Sequence, residues 1–271
     1  MAVEEQLPTI PLLVVHITVN QRPLNATLSR QYDGTTTSAG SDLSSFDALQ
    51  GGETLTLSGS GTSASANVAN GIAMSSNGNL ALVDGTGLAS NYSLNSTVIN
   101  ITERVLNSSG SKIYDANTDA LAADITLSNL VSGEALNHSG TATISSANAG
   151  SYTITNLAGI TIADGSGGTA SNYTLTGGTH NFTVNPKVVS IQGNKTYDGN
   201  TTISSGDITS ITDTVGAETL VISSGSGTVS SANAATYASA GINEGTLTLG
   251  NGTNGGLASN YTLTGLSLIH I

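Results

Sequence analysis

Cysteine and tryptophan are absent from this 271-residue chain, proline occurs four times, and lysine and arginine together number six. Without cysteine there is no disulfide framework, no thiolate metal site and no thiol nucleophile. Six basic residues against 18 acidic ones give a formal net charge of −12. Such a surface does not neutralise phosphate, so neither nucleic acid nor an anionic membrane is an expected partner. No run approaches the ~20 apolar residues of a spanning helix, and no membrane insertion is expected. Nor does any segment sustain the apolar i, i+3, i+4, i+7 pattern of an amphipathic helix. What fills the chain instead is glycine, at 33 positions, with serine, threonine, asparagine and alanine. Alternating stretches such as Glu53 to Leu57 and Gly245 to Leu249 read as half-buried strands joined by tight turns.

The sequence also repeats. Tyr32-Asp33-Gly34, Tyr114-Asp115-Ala116 and Tyr197-Asp198-Gly199 are spaced by 82 and 83 residues. A second mark recurs at 81 and 88: Ser90-Asn91-Tyr92, Ser171-Asn172-Tyr173 and Ser259-Asn260-Tyr261. A third lies between them, at Ser65-Ala66-Asn67, Ser146-Ala147-Asn148 and Ser231-Ala232-Asn233. All six basic residues keep step with the first tyrosine, Arg22, Arg104 and Lys187 ten before it and Arg30, Lys112 and Lys195 two before it. Asp42, Asp124 and Asp207 follow it by ten, and Glu53, Glu134 and Glu218 by 20 or 21. A period near 82 is too long for a solenoid coil of ~20 to 45 residues and fits a small autonomous domain. In the third period the strand candidates are Val188 to Gln192, Lys195 to Tyr197, Thr201 to Ile211, Thr219 to Ile222, Gly227 to Val229, Thr246 to Leu249 and Tyr261 to Leu263. That count and spacing predict an all-β fold, a tandem array of three immunoglobulin-like β-sandwich repeats. Domains of this size bury only about 60% of the unfolded surface, so each is modestly stable and helped by its neighbours.

Tyr32, Tyr114 and Tyr197, with Tyr92, Tyr173 and Tyr261, read as structural marks. The first-mark ring is expected in the core, its hydroxyl bonded to backbone near a sheet corner. The following aspartate is expected to cap a turn that Gly34 or Gly199 completes, a pattern that Ala116 interrupts. A competing reading is calcium ligation. Asp33, Asp42, Asp84, Asp115, Asp124, Asp164, Asp198 and Asp207 supply hard oxygen donors, and the Asp84-Gly85-Thr86-Gly87 and Asp164-Gly165-Ser166-Gly167 loops are permissive. Against it, the third period carries Asn251-Gly252-Thr253-Asn254 there, and no EF-hand or nonapeptide spacing occurs. No other cofactor is expected. Lysine-to-asparagine isopeptide bonds fail in the first period, where Arg22 and Arg30 lack the amine. Ion pairing with Asp or Glu of the same unit remains, worth ~0 to 1 kcal/mol if exposed. His16, His138, His180 and His270 are too scattered for a metal site. Ser58-Gly59-Ser60-Gly61 reads as a hairpin turn rather than a nucleophile elbow. With no catalytic constellation, no enzyme is expected.

The Tyr-Asp-Gly mark with its preceding basic residue, the downstream Ser-Asn-Tyr-(Ser/Thr)-Leu, and the junction Phe182-Thr183-Val184-Asn185-Pro186 resemble a known family. These are the YDG and mostly-bacterial-immunoglobulin-like repeats of filamentous-haemagglutinin-type exoproteins and other large bacterial adhesins. The resemblance covers roughly residues 17 to 265 and implies a secreted or cell-surface location, with no catalytic residues to carry over. Repeats are expected over 22–102, 103–185 and 186–271. Residues 1–21 read as a non-native tail plus the remnant of a preceding repeat's closing strand, since Ile17 to Arg22 parallels Phe182 to Lys187. Leu266 to Ile271 reads as a translated sequencing-library adapter, an artefact that would leave the third repeat truncated and without its closing strand. The expected function is a structural stalk projecting a distal binding region, with neighbouring repeats as partners. The alternative is that the repeats themselves bind a host glycan or a surface. All eight tyrosines belong to recurring marks, which favours the stalk.

Overall fold

Inward and outward side chains alternate along the longer strands, and that alternation organises the fold. The computed structural model describes residues 16–271. Among the described residues it contains strands and short 3-10 turns but no α-helix. Residues 16–21 form no strand, and Ile17 and Val19 are exposed. The expected strand remnant therefore takes no part in a ladder there, and residues 1–15 of that stretch lie outside the described residues. The chain divides into two compact units, the first ending at Glu103 and the second spanning Arg104–Ile271.

The first unit comprises β1 (Arg22–Gln31), β2 (Thr37–Ala39), β3 (Leu43–Phe46), β4 (Leu55–Ser58), β5 (Ser60–Ser63), β6 (Ala69–Ser76), β7 (Ala81–Asp84) and β8 (Tyr92–Thr102). Six of them order as β2-β5-β6-β8-β1-β3, and β4 with β7 forms a separate pair. β1 runs parallel to β8, from Arg22 opposite Tyr92 to Gln31 opposite Thr102, and antiparallel to β3. Leu24, Ala26 and Leu28 of β1 are buried with Ile99 and Ile101 of β8, each large side chain contributing ~1.5 to 3 kcal/mol by leaving water. The expected hairpin at Ser58 to Gly61 is not one. Gly59, at φ 78°, carries the chain out of β4, which pairs with β7, into β5, which pairs with β2 and β6.

The second unit holds two segments of like topology. The earlier comprises β9 (Arg104–Val105), β10 (Asn107–Ile113), β11 (Asp119–Leu121), β12 (Ile125–Ser128), β13 (Leu136–Ile144), β14 (Gly150–Asn156), β15 (Ile160–Asp164), β16 (Tyr173–Thr174) and β17 (His180–Asn185). The later comprises β18 (Lys187–Asn194), β19 (Thr202–Ser204), β20 (Ile208–Thr212), β21 (Leu220–Ser224), β22 (Ser226–Val229), β23 (Thr236–Tyr237), β24 (Ile242–Asn243), β25 (Thr248–Asn251) and β26 (Tyr261–His270). In the earlier segment β10 runs parallel to β17 and antiparallel to β12. In the later one β18 runs parallel to β26 and antiparallel to β20. The pattern of β1 with β8 and β3 thus recurs twice.

Three expectations for the third segment need correction. Lys195 to Tyr197 is a loop, not a strand. The strand expected over Thr201 to Ile211 is cut by a 3-10 turn at Ser205–Asp207, where Asp207 Oδ2 accepts from the Ser204 N–H and hydroxyl, both at 2.8 Å. The closing strand, expected to be missing, is present. Gln192 lies opposite Leu268 and Asn194 opposite His270, and the Lys195 N–H donates to the His270 carbonyl at 2.8 Å. Ile269 is fully buried beside Ile203, Val229 and Tyr237. Ile269, near the end of β26, thus contributes to the core of this segment.

Candidate functional site

The first mark builds a cation-centred loop in each segment. Asp33, Asp115 and Asp198 each fold back to accept the backbone N–H two residues on, from Thr35 at 2.9 Å, Asn117 at 3.2 Å and Asn200 at 3.0 Å. This is the turn expected of aspartate. The intervening residue is left-handed, with φ of 78° at Gly34, 64° at Ala116 and 78° at Gly199. The same carboxylates pair with Arg30, Lys112 and Lys195. These cations are not exposed: their side chains retain 9%, 8% and 6% of their accessibility. Lys112 Nζ also donates to the Asn117 and Asp119 carbonyls at 2.9 and 2.8 Å, and Arg30 to that of Thr35 at 2.5 Å. Burial, the largest single influence on Asp33, pushes its carboxyl up, but the hydrogen bonds from Thr35 and the charge of Arg30 together hold it below the usual carboxylate range. The hydrogen bond from Lys195 does the same, first among its causes, for Asp198. Of the basic residues ten before the tyrosine, Arg22 donates to Gln50 Oε1 at 2.9 Å and Arg104 to the Asn129 carbonyl at 2.6 Å.

The second mark forms a 3-10 turn running into the last strand, at Ala89–Asn91, Ala170–Asn172 and Ala258–Asn260. Each turn opens on an N–H held by an upstream side-chain oxygen: Ala89 by Asp84, Ala170 by Asp164 and Ala258 by Asn251, at 2.7, 2.7 and 2.8 Å. A neutral amide in the third segment does the work of a carboxylate in the other two, so the position requires an acceptor and not a charge. Asp42 likewise accepts the Ala39 N–H at 3.0 Å, and Asp124 ends the matching turn Ala122–Asp124. The eight aspartates considered for calcium are thus dispersed over separate turns. Among the described residues no three His, Cys, Asp or Glu side chains gather as a metal site would need. His138 bonds the Ala122 and Ile125 carbonyls and His180 that of Leu175. An open polar hollow of about 650 Å³ borders Lys195, Asp198 and Asn200, whose polar groups already serve the loop.

The mark tyrosines do what the sequence did not anticipate. Tyr92, Tyr173 and Tyr261 are buried, and each donates to the recurring glutamate of its own segment: Tyr92 to Glu53, Tyr173 to Glu134 at 2.6 Å, and Tyr261 to Glu218 at 2.5 Å. Each also accepts one N–H, from Gln50, Val131 and Val215 respectively, at 3.2, 3.1 and 2.9 Å. Hydroxyl-to-backbone bonds of the kind expected of the first mark are made by Tyr152, to the Ala149 carbonyl at 3.3 Å, and by Tyr237, to the Asn233 carbonyl at 2.7 Å.

Within the second unit, marks of both segments converge. Tyr114, only 4% exposed, donates to Glu218 Oε1 at 2.7 Å, opposite the oxygen that takes Tyr261. The two rings meet edge to face, centroids 5.3 Å apart at 78°, the arrangement favoured by their quadrupoles. Alongside, fully buried Asn260 accepts the Ala149 N–H at 2.8 Å and donates to Asn148 Oδ1 at 3.0 Å. One apolar cluster runs through the junction, joining Ile144, Phe182 and Tyr114 to Val189, Leu220 and Tyr261. Burial first, and then Glu218, push both Tyr114 and Tyr261 up to about 12. Sequence reasoning had registered the glutamate and the two asparagines as recurrent but assigned them no role. The readable signal was an acidic position kept in step without a basic partner. Tyr197, equivalent to Tyr114 by its mark, departs from the expected core position and is 62% exposed.

Neither curated proteins nor solved structures offer a match to this chain. The sequence model of the YDG domain matches it twice, over residues 18–99 and 102–181. Those stretches carry the Asx turns, the buried cations and the tyrosine–glutamate pairs of the first two segments, and the chain belongs to the YDG domain family.

Proposed function

We propose that this chain is a section of the stalk of a large secreted or cell-surface bacterial adhesin. Three immunoglobulin-like β-sandwich repeats, bounded at about 102 and 185, act as a spacer that carries a distal binding region away from the cell. One observation carries the reading. In every segment the first and last strands are parallel neighbours, so the chain comes in at one pole of the segment and leaves at the other. At ~3.3 Å per residue, a ten-residue strand such as β1 advances it by roughly 30 Å per repeat. A fold with antiparallel first and last strands would return the chain to its starting pole and contribute no reach. The bacterial surface setting comes from the family resemblance.

The alternative, repeats that bind a glycan themselves, is separated by a glycan array probed with the isolated chain. The spacer reading expects no glycan retained above an unrelated β-sandwich control. Reproducible binding, lost on substitution of residues within the repeats, would transfer the adhesive role to them.

A further inference from the structure

The junction between the second and third segments has two halves, and each half has a counterpart elsewhere in this chain. By its mark Tyr197 stands on the third segment where Tyr114 stands on the second, followed by Asp198-Gly199 where Tyr114 is followed by Asp115-Ala116. Asn233 repeats Asn148, each N–H donating to the serine two residues back, Ser231 or Ser146, at 3.2 Å. Yet Tyr197 is 62% exposed where Tyr114 is 4%. The complementary half recurs on the first segment. Tyr92 donates to Glu53 Oε2 and accepts from the Gln50 N–H, as Tyr261 donates to Glu218 Oε2 and accepts from the Val215 N–H. Asn91, the counterpart of buried Asn260, is exposed.

We propose that Tyr197 and Asn233 form a docking surface whose occupant is another YDG repeat, presenting the constellation seen here as Glu53, Asn91 and Tyr92, so that two copies of this chain associate head to tail. The second–third junction supplies the chemistry. A phenol lies edge-on to a second phenol, both hydroxyls share one carboxylate, and an asparagine pair bridges alongside. Tyr197 and Asn233 are exposed in one half and Asn91 in the other, where Tyr92 is already buried against Glu53. A large amphipathic ring with a polar tip suits an interface that is dry at its centre and hydrogen-bonded at its rim. Because the two surfaces differ, the contact is heterologous, and a dimer formed through it keeps one unused copy of each surface. The inference rests on the repeats being modules of an array, and its readout is self-association, independent of the glycan array that tests the spacer reading.

The experiment is sedimentation velocity of the full chain over a concentration series reaching about 1 mM, the range in which a contact of about −4 kcal/mol becomes visible. Weight-average mass is expected to rise with concentration. Tyr197→Ser removes one half and Asn91→Arg blocks the other. Both positions are exposed, and circular dichroism confirms that each variant retains the fold. Each variant alone is expected to remain monomeric, whereas an equimolar mixture, in which each copy keeps one intact half, is expected to form dimers and nothing larger. A wild-type chain that stays monomeric throughout, or association that survives both substitutions, overturns the proposal. So does Tyr197-dependent glycan binding without self-association, which would assign the exposed ring to carbohydrate.

Discussion

Removing a single oxygen from the junction tests whether it is an energetic contact or an accident of proximity. Tyr114→Phe keeps the ring and its edge-on contact with Tyr261 but deletes the donor that reaches Glu218 Oε1 at 2.7 Å. A hydrogen bond to a charged acceptor contributes ~1.5 to 3 kcal/mol and one between neutral groups ~0.5 to 1.5, so the loss is expected near ~2 kcal/mol. In a Glu218→Gln background the acceptor is neutral, and the same deletion should cost only about 1 kcal/mol. The double-mutant cycle should therefore show a coupling of about 1 kcal/mol, within the range for residues in one network. Urea unfolding of dilute protein, followed by tyrosine fluorescence and by hydrogen exchange of residues 104–271, gives the four stabilities. Tyr197→Phe is the internal control, because an exposed ring should change stability by less than about 0.5 kcal/mol. A cycle that closes to within about 0.3 kcal/mol, the limit of ordinary additivity, would show the contact to be energetically empty.

The alkaline limit of the second unit should bear the mark of the same site. Tyr114 and Tyr261 are raised from 10 to about 12, so the neutral phenol is the favoured form in the fold. That stabilisation is complete below pH 10 and lost as pH rises towards 12. Melting temperature should fall through this window, and Tyr114→Phe should flatten the slope. Lys112→Ala empties a buried cation site with two carbonyls and Asp115 around it and should cost about 1 to 3 kcal/mol in denaturant titration. Lys112→Arg should be milder, since Arg30 fills the equivalent place. Ala116→Gly is expected to stabilise by ~0.5 to 1 kcal/mol, because alanine is held at φ 64° where only a Cβ-free residue is unstrained. Calorimetry would detect this as a raised transition temperature.

The turns were legible because their chemistry is local. Asp33, Asp115 and Asp198 bond within two residues, and no distant contact could override them. Strand limits were less so. The Thr201 to Ile211 run alternates well enough to suggest one strand, yet Ser204 and Asp207 close a tight turn in its middle through side-chain bonds that compete with the ladder. Lys195 to Tyr197 has strand-like composition, but Lys195 is drawn inward to Asp198. The junction was hidden for another reason. Tyr114 and Glu218 lie 104 residues apart, and a period of 82 invites each copy to be treated as self-contained. The recurrence of Tyr, Asn and Glu in step carried the information. Recognising it required knowing that the first and last strands are parallel, which puts the first mark and the second mark at opposite poles.

That parallel pairing also decides how a repeat would respond to tension. A pull applied through both ends of the first segment enters along β1 and leaves along β8, and the register from Arg22–Tyr92 to Gln31–Thr102 lies between them. The load is directed along the strands, across evenly spaced bonds. These bonds must yield together by sliding; they cannot be opened one at a time as a zipper. The same holds for β18 and β26, where Ile269 anchors the far end of the slide in the core. Such a segment is built to resist shear, and its lifetime under load is set by its unfolding rate rather than by its equilibrium stability.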